Sequence, residues 1–155
     1  VEDIFRGLLR VGFRNIHGLI CHQTEEFAQG MPTDLAFRMA ARHVVFEWLE
    51  KESGEGWWGT EKFSSYYSGS NNPFAWIQVH SCHPLPEEAE KFPGDHAGKN
   101  ETSKTMVLYP ECVELDRIDG TLWYARPGRE ASVEYGDAAF NSVANNIERI
   151  LFPNK

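Results

Sequence analysis

Residues 75–84, read as AWIQVHSCHP, constrain the fold more than any other stretch of the chain. Ala75, Ile77 and Val79 alternate with polar or amphipathic side chains, and strand side chains point to opposite faces with a period of two. One face of the predicted strand is therefore apolar and can pack on a core. The other face carries an indole, an amide, an imidazole and a thiol, from Trp76, Gln78, His80 and Cys82. Pro84 ends the strand, because proline cannot donate to a strand ladder.

Helical periodicity predicts three helices. The first covers residues 1–16, where apolar side chains recur at three- and four-residue spacing: Val1, Ile4, Phe5, Leu8 and Leu9. The second begins at Thr33 or Asp34, which can cap it, and runs to about Lys51, before Gly54. Its apolar stripe consists of Phe37, Ala40, Ala41, Val44, Val45 and Trp48. The third begins at Asp137 and ends before Pro153.

Strand patterns dominate the region between the central strand and the last helix. We predict strands at residues 105–109, 113–118, 121–125 and 131–135, with a hairpin turn at Asp119-Gly120. Helices at the two ends and consecutive strands between them favour an α+β fold. The prediction is a single α+β domain over residues 1–155, with about three helices packed on a mainly antiparallel sheet of four to five strands.

The net charge limits the classes of binding partner, and the number of cysteines indicates the cellular compartment. The net charge is −8, which disfavours nucleic-acid binding and favours cationic ligands or a basic protein. Every apolar run is shorter than the roughly eighteen residues of a membrane span, so we expect no membrane insertion. Three cysteines do not form a disulfide framework, and we predict a reducing, cytoplasmic setting.

A zinc site is the first chemistry that the pattern predicts. His80 and Cys82 project from one face of a strand, and His17 and Cys21 share a face whether their segment is helical or extended. Two such pairs brought together would supply the nitrogen and sulfur ligands that zinc prefers. The alternative is that Cys21 and Cys82 are small buried residues, which is common for free cysteines.

Nucleophilic catalysis is the second chemistry. Cys82 lies between His80 and His83, and an imidazole could activate its thiolate. Trp57 and Trp58 lie in a Gly-, Ser- and Asn-rich loop at residues 54–72. Such loops often bind ligands, so we predict a ligand site lined by Trp57, Trp58, Trp76 and Gln78. The alternative is that the tryptophans of the loop cover an edge of the core.

Two functional hypotheses follow from these residues. The first is a small soluble enzyme, a hydrolase with a His/Cys-centred zinc site that acts on a small-molecule or protein ligand. The second is a non-catalytic, acidic protein-binding factor of the inhibitor or immunity type. The clustering of His and Cys favours the first, whereas the negative charge favours the second.

Overall fold

A computed structural model describes residues 1–22, 32–66 and 72–153 of the chain. Residues 67–71 of the predicted Gly-, Ser- and Asn-rich loop therefore lie outside the described residues. The chain divides into two compact units, Val1–Ser81 and Cys82–Lys155, and each is described by itself. The expectation of a single domain stays a prediction.

The first unit contains two helices and two strands. Its elements are α1 (Glu2–Val11), β1 (Ile16–Ile20), α2 (Thr33–Ser53) and β2 (Ile77–Ser81). Helix α1 is shorter than the predicted 1–16, because Gly12 takes a left-handed conformation with φ of 109° and its amide bonds back to Leu9. The extent of α2 is close to the prediction, and Gly54 follows it with φ of 82°.

The sheet of the first unit is parallel. Ile16 pairs with Ile77 and Ile20 pairs with Ser81, so β1 and β2 run in the same direction and α2 lies between them in sequence. This finding shows that the predicted antiparallel sheet of four to five strands is wrong. Over the described ranges of the chain, the sheet has only these two strands.

The core of the first unit gathers one face of each element. Phe5 and Leu9 come from α1, and Ile16 and Ile77 come from the two strands. The predicted stripe of α2 is confirmed, since Ala41, Val44 and Val45 are buried and its other members pack against the core. Ile4, which the sequence analysis grouped with Phe5 and Leu9 on one apolar face of α1, is 66% exposed.

The second unit is built on two helices, α3 (Lys99–Leu108) and α4 (Val133–Leu151), which pack closely together. At their contact a Cβ on Gly136 would overlap the backbone carbonyl of Ser103. The Ser103 hydroxyl is buried and accepts a hydrogen bond from the Ser132 amide at 3.1 Å. Ser132 in turn caps α4 by accepting from the amide of Tyr135. The predicted strand at 131–135 is therefore wrong, because its residues begin a helix.

Helix α3 replaces the strand predicted at residues 105–109. The Asp95 carboxylate accepts hydrogen bonds from the amides of Asn100 and Glu101, at 2.6 and 3.0 Å, and so satisfies free donors of the first turn. The Thr105 hydroxyl donates to the Glu101 carbonyl within the helix. The cap and the packing on α4 therefore outweigh the strand preference of the β-branched residues in this segment.

The hairpin predicted at Asp119-Gly120 is also wrong. Gly120 has the expected positive φ of 83°, but Asp119 accepts from the amide of Thr121 in a local turn, and residues Leu115–Arg117 form a 3-10 turn. Arg129 donates to the carbonyl of Ile118, and Arg126 donates to the carbonyl of Gly120. The carbonyls that a strand partner would have bonded are thus satisfied by guanidinium groups.

None of the helices in the described segments is long and apolar enough to cross a membrane.

Candidate functional site

The two parallel strands place His17 and His80 on the same face of the sheet. His17 pairs with Gln78, and Leu19 pairs with His80, so these four side chains share one face. The opposite face carries Ile16, Ile20, Ile77 and Val79, which are buried. The alternation of β2 therefore agrees with the sequence analysis, and it leaves the imidazoles on the side away from the apolar core.

The two imidazoles form a direct hydrogen bond. His17 Nδ1 lies 2.9 Å from His80 Nε2, and the ring planes are inclined by 20°. His17 Nε2 lies 2.9 Å from Asn15 Oδ1. Within the described part of the chain, His17 is the hydrogen-bond partner of the His80 ring. Three side chains from β1, β2 and the residue before β1 thus form one continuous chain of hydrogen bonds.

The side-chain oxygen of Asn15 determines which ring nitrogens of the neutral histidine pair carry hydrogen. An amide oxygen only accepts, so His17 Nε2 must carry the hydrogen. The Nδ1 atom of neutral His17 is then an acceptor, and His80 Nε2 must donate to it. Neutral His80 therefore has its unprotonated nitrogen at Nδ1. This nitrogen can accept a proton, and the hydrogen bond to His17 would stabilise the imidazolium that forms.

The environment favours the uncharged form of His80. Partial burial is the main cause of the lowered pKa of His80, and repulsion by a positive charge on the nearby His17 or Arg38 lowers it further. His80 is consequently neutral at pH 7 and available as a base. Arg38 lies on α2 and contacts Asp34 at 3.5 Å.

Gln78 and Trp76 make local contacts near the histidines. Gln78 donates from its side chain to the carbonyl of Ala75 at 3.2 Å. The guanidinium of Arg14 lies 4.7 Å from the centre of the Trp76 ring and 4.8 Å from that of Trp48. The Arg14 guanidinium therefore makes cation–π contacts with both Trp76 and Trp48. The ligand-binding roles assigned to Gln78 and Trp76 stay predictions.

Trp57 and Trp58 are adjacent in sequence but differ in environment. Trp57 is only 2% exposed and contacts Phe63 edge to face, with the ring centres 5.1 Å apart. Trp58 is 55% exposed and stacks on Phe46. Burial of Trp57 agrees with the alternative that this residue belongs to the core, whereas Trp58 presents an accessible ring.

Cys21, Cys82 and His83 lie at the ends of the two strands or just beyond them. Cys21 directly follows β1 and is exposed. Cys82 and His83 begin the second unit, where Asn146 donates to the backbone carbonyl of His83 at 3.1 Å. The catalytic roles of Cys82 and His83 stay predictions.

The expectation of a zinc-binding hydrolase is not supported. In the parts of the chain that the structure describes, no group of three or more His, Cys, Asp or Glu side chains could hold a metal ion. Of the predicted set of His17, Cys21, His80 and Cys82, the two histidines bond to each other through one ring nitrogen each.

Asn15 and Arg38 are the site residues that the sequence analysis missed. Asn15 lies two positions before His17, so strand parity places it on the same side and could have identified it. Arg38 had no comparable signal, because its proximity to His80 depends on how α2 packs on β2.

Comparison of the chain with protein-family models, with curated proteins and with solved structures finds no match.

Proposed function

We propose that the protein is a small enzyme that uses the His17–His80 pair for general acid–base catalysis. The observation that carries the proposal is the 2.9 Å hydrogen bond between the two rings, anchored by Asn15. A base that is neutral at pH 7 and whose conjugate acid is stabilised by a hydrogen bond suits proton abstraction from a small-molecule or protein substrate.

The proposed step moves one proton. His80 Nδ1 takes a proton from an acidic X–H group of the substrate, and the electron pair of that bond stays on the substrate atom. His80 Nε2–H continues to donate to His17 Nδ1, so the positive charge is shared between the rings. The imidazolium later returns the proton to the product. Arg38 can stabilise the negative charge that develops on the substrate.

A carbon acid tests this proposal without knowledge of the natural substrate. In 5-nitrobenzisoxazole, a base removes the C–H proton, the electrons form a nitrile, the N–O bond breaks and a coloured phenolate is released. We expect the purified protein to accelerate this reaction and His80→Ala to lower the rate by at least about 100-fold, the lower end for a positioned base. His17→Ala should lower the rate less, because His80 Nδ1, the atom that takes the proton, would still be present.

His43→Ala is the matched control, since His43 is an exposed histidine of the same unit that bonds to Glu2 at 2.9 Å. Its rate should equal that of the wild type. A wild-type rate no higher than that of His80→Ala would refute the proposal, and so would an equal loss in His43→Ala.

The finer assignments of the sequence analysis enter as parts of the same proposal. Trp58 is the accessible aromatic ring that could contact a ligand, and Cys82 and His83 follow β2 directly in sequence. We infer a cytoplasmic setting, because the exposed thiols of Cys21 and Cys112 persist best where disulfide formation is disfavoured.

Binding of a basic protein is the second candidate function. It is favoured by apolar side chains that are exposed in residues 108–124 of the second unit: Leu108, Tyr109, Leu122 and Trp123. Trp123 is 77% exposed, and the chain carries a net charge of −8. Large exposed apolar side chains next to acidic ones suit a partner that is both basic and apolar.

A helical peptide of lysine and leucine is the probe for this second function. Fluorescence titration should show saturable binding that Trp123→Ala weakens and that added salt also weakens. Trp58→Ala is the control, because Trp58 is an exposed tryptophan of the first unit. Equal binding by Trp123→Ala and wild type would exclude this surface.

A further inference from the structure

Helix α1 has a wider apolar surface than the core of its unit covers. Phe5 and Leu9 point inward and are 5% and 0% exposed. Ile4 and Val11 are 66% and 75% exposed, although both are large aliphatic residues. Single exposed apolar residues are ordinary, but these two lie seven residues apart, which places them on one side of the helix two turns from each other.

Gly7 completes this outer side of α1. It lies between Ile4 and Val11 on the same side, one turn from each. Among the described atoms, none lies within 4 Å of the position that a Cβ on Gly7 would occupy. The outer side, defined here as Ile4, Gly7 and Val11, is therefore an open apolar stripe whose centre allows the close approach of another backbone.

The charges beside the stripe are opposite at its two ends. Asp3 and Arg10 precede Ile4 and Val11 by one residue, so they lie on the same flank, also two turns apart. The Asp3 side chain is 99% exposed even though its Oδ1 contacts Arg6 at 3.0 Å, and Arg10 is exposed. The flank is negative at the start of the helix and positive at its end.

We propose that α1 pairs with α1 of a second copy of this chain, in an antiparallel arrangement about a two-fold axis at Gly7. In this arrangement Ile4 contacts the partner subunit's Val11, and Asp3 faces the partner subunit's Arg10. The symmetry repeats both contacts. In a parallel pair the Asp3 and Arg10 flanks of the two copies would lie on opposite sides of the seam and these charges would not meet, so the charge pattern favours the antiparallel pair.

The predicted contact is small. A ten-residue helix is about 15 Å long, so the buried area falls below the roughly 800 Å² per partner of a standard interface. Self-association is therefore weak and depends on concentration.

Two charge reversals test the pairing sharply. Asp3→Arg and Arg10→Asp each place like charges opposite each other at both symmetric contacts, and each variant should dissociate at least about tenfold more readily than wild type. An equal mixture of the two variants should associate about as well as wild type, since both contacts of the mixed dimer are again between opposite charges. Sedimentation equilibrium of the full chain at concentrations up to about 1 mM measures all three.

Two aliphatic variants keep the test independent of charge. Val11→Ala should weaken association, whereas Val133→Ala should not, because Val133 is an exposed valine of the second unit, at 42%. Circular dichroism verifies that each variant is folded. A wild type that stays monomeric at the highest concentration would overturn the proposal. Variants that associate like the wild type, or a mixture that remains as weak as its components, would overturn it too.

Discussion

Replacing Gly136 by alanine should destabilise the second unit, although helix propensity alone predicts the opposite. Alanine in a helix interior is favoured over glycine by about 1 kcal/mol. At Gly136, however, the added Cβ would overlap the Ser103 carbonyl and lie 2.7 Å from Val107 Cγ2. Overpacking of this kind costs about 1–3 kcal/mol, because backbone atoms on the facing helix cannot move aside.

Separation of α3 from α4 would carry a second penalty. The Ser103 hydroxyl is fully buried and accepts from the Ser132 amide, a hydrogen bond that contributes about 1 kcal/mol. Adding the two penalties and subtracting the propensity gain gives a net loss of about 1–3 kcal/mol. Hydrogen exchange of α3 and α4 amides measures the opening free energy of this helix pair directly.

Gly7→Ala is the matched control, since it is also a helical glycine but has open space around the added methyl group. Measured in dilute protein, it should stabilise the first unit by about 0.5–1 kcal/mol. If Gly136→Ala were as stabilising as Gly7→Ala, the close contact between α3 and α4 would be refuted.

Three further predictions concern a titration, a cap and the core. The pKa of His80 is lowered in the folded state, so the unfolded state binds a proton at His80 more tightly, and the free energy of unfolding should fall as pH drops below about 6.5. His80→Gln should reduce this dependence on pH in urea melts recorded at pH values above those at which carboxylates titrate. Asp95→Ala should lower the stability of the second unit by about 1–2 kcal/mol in the same melts, through the loss of the α3 cap. Leu9→Ala should cost about 2–5 kcal/mol, whereas Val11→Ala on the exposed side of the same helix should change thermal stability by less than about 0.5 kcal/mol.

Sequence patterns predicted the elements whose side-chain periodicity is long and regular. The stripe of α2 from Phe37 to Trp48 repeats over about three turns, and the alternation at Ile77 and Val79 identified β2. Strand β1 was missed because Gly18 interrupts the alternation of Ile16–Ile20, and glycine weakens a strand pattern. Without β1, the parallel pairing and the crossover through α2 could not be inferred.

The second unit departs from the prediction for a different reason. Thr105 and Val107 are β-branched and favour strands locally, yet they lie in α3, where the Asp95 cap and the contact with Gly136 fix the helix. The contact with Gly136 joins two helices that are far apart in sequence, so a pattern within a short window cannot represent it. The Asp95 cap is local, but the β-branched residues of the segment outweighed it in the prediction.

The candidate site was predicted in part. His17 and His80 were both singled out, and the structure brings their rings into contact with each other. Strand parity could have identified Asn15 as a neighbour of His17, whereas the proximity of Arg38 to His80 depends on the packing of α2.

The hydrogen bond between the two histidines also has a consequence for the order of events in folding. Its partners are 63 residues apart in sequence, and they meet only when β1 and β2 are paired in register. Closing so long a loop carries a large entropic penalty, and parallel pairing of this kind forms late and slowly in folding. The imidazole hydrogen bond therefore reports a late step of folding. A refolding chain should recover its helical circular dichroism signal well before this hydrogen bond forms.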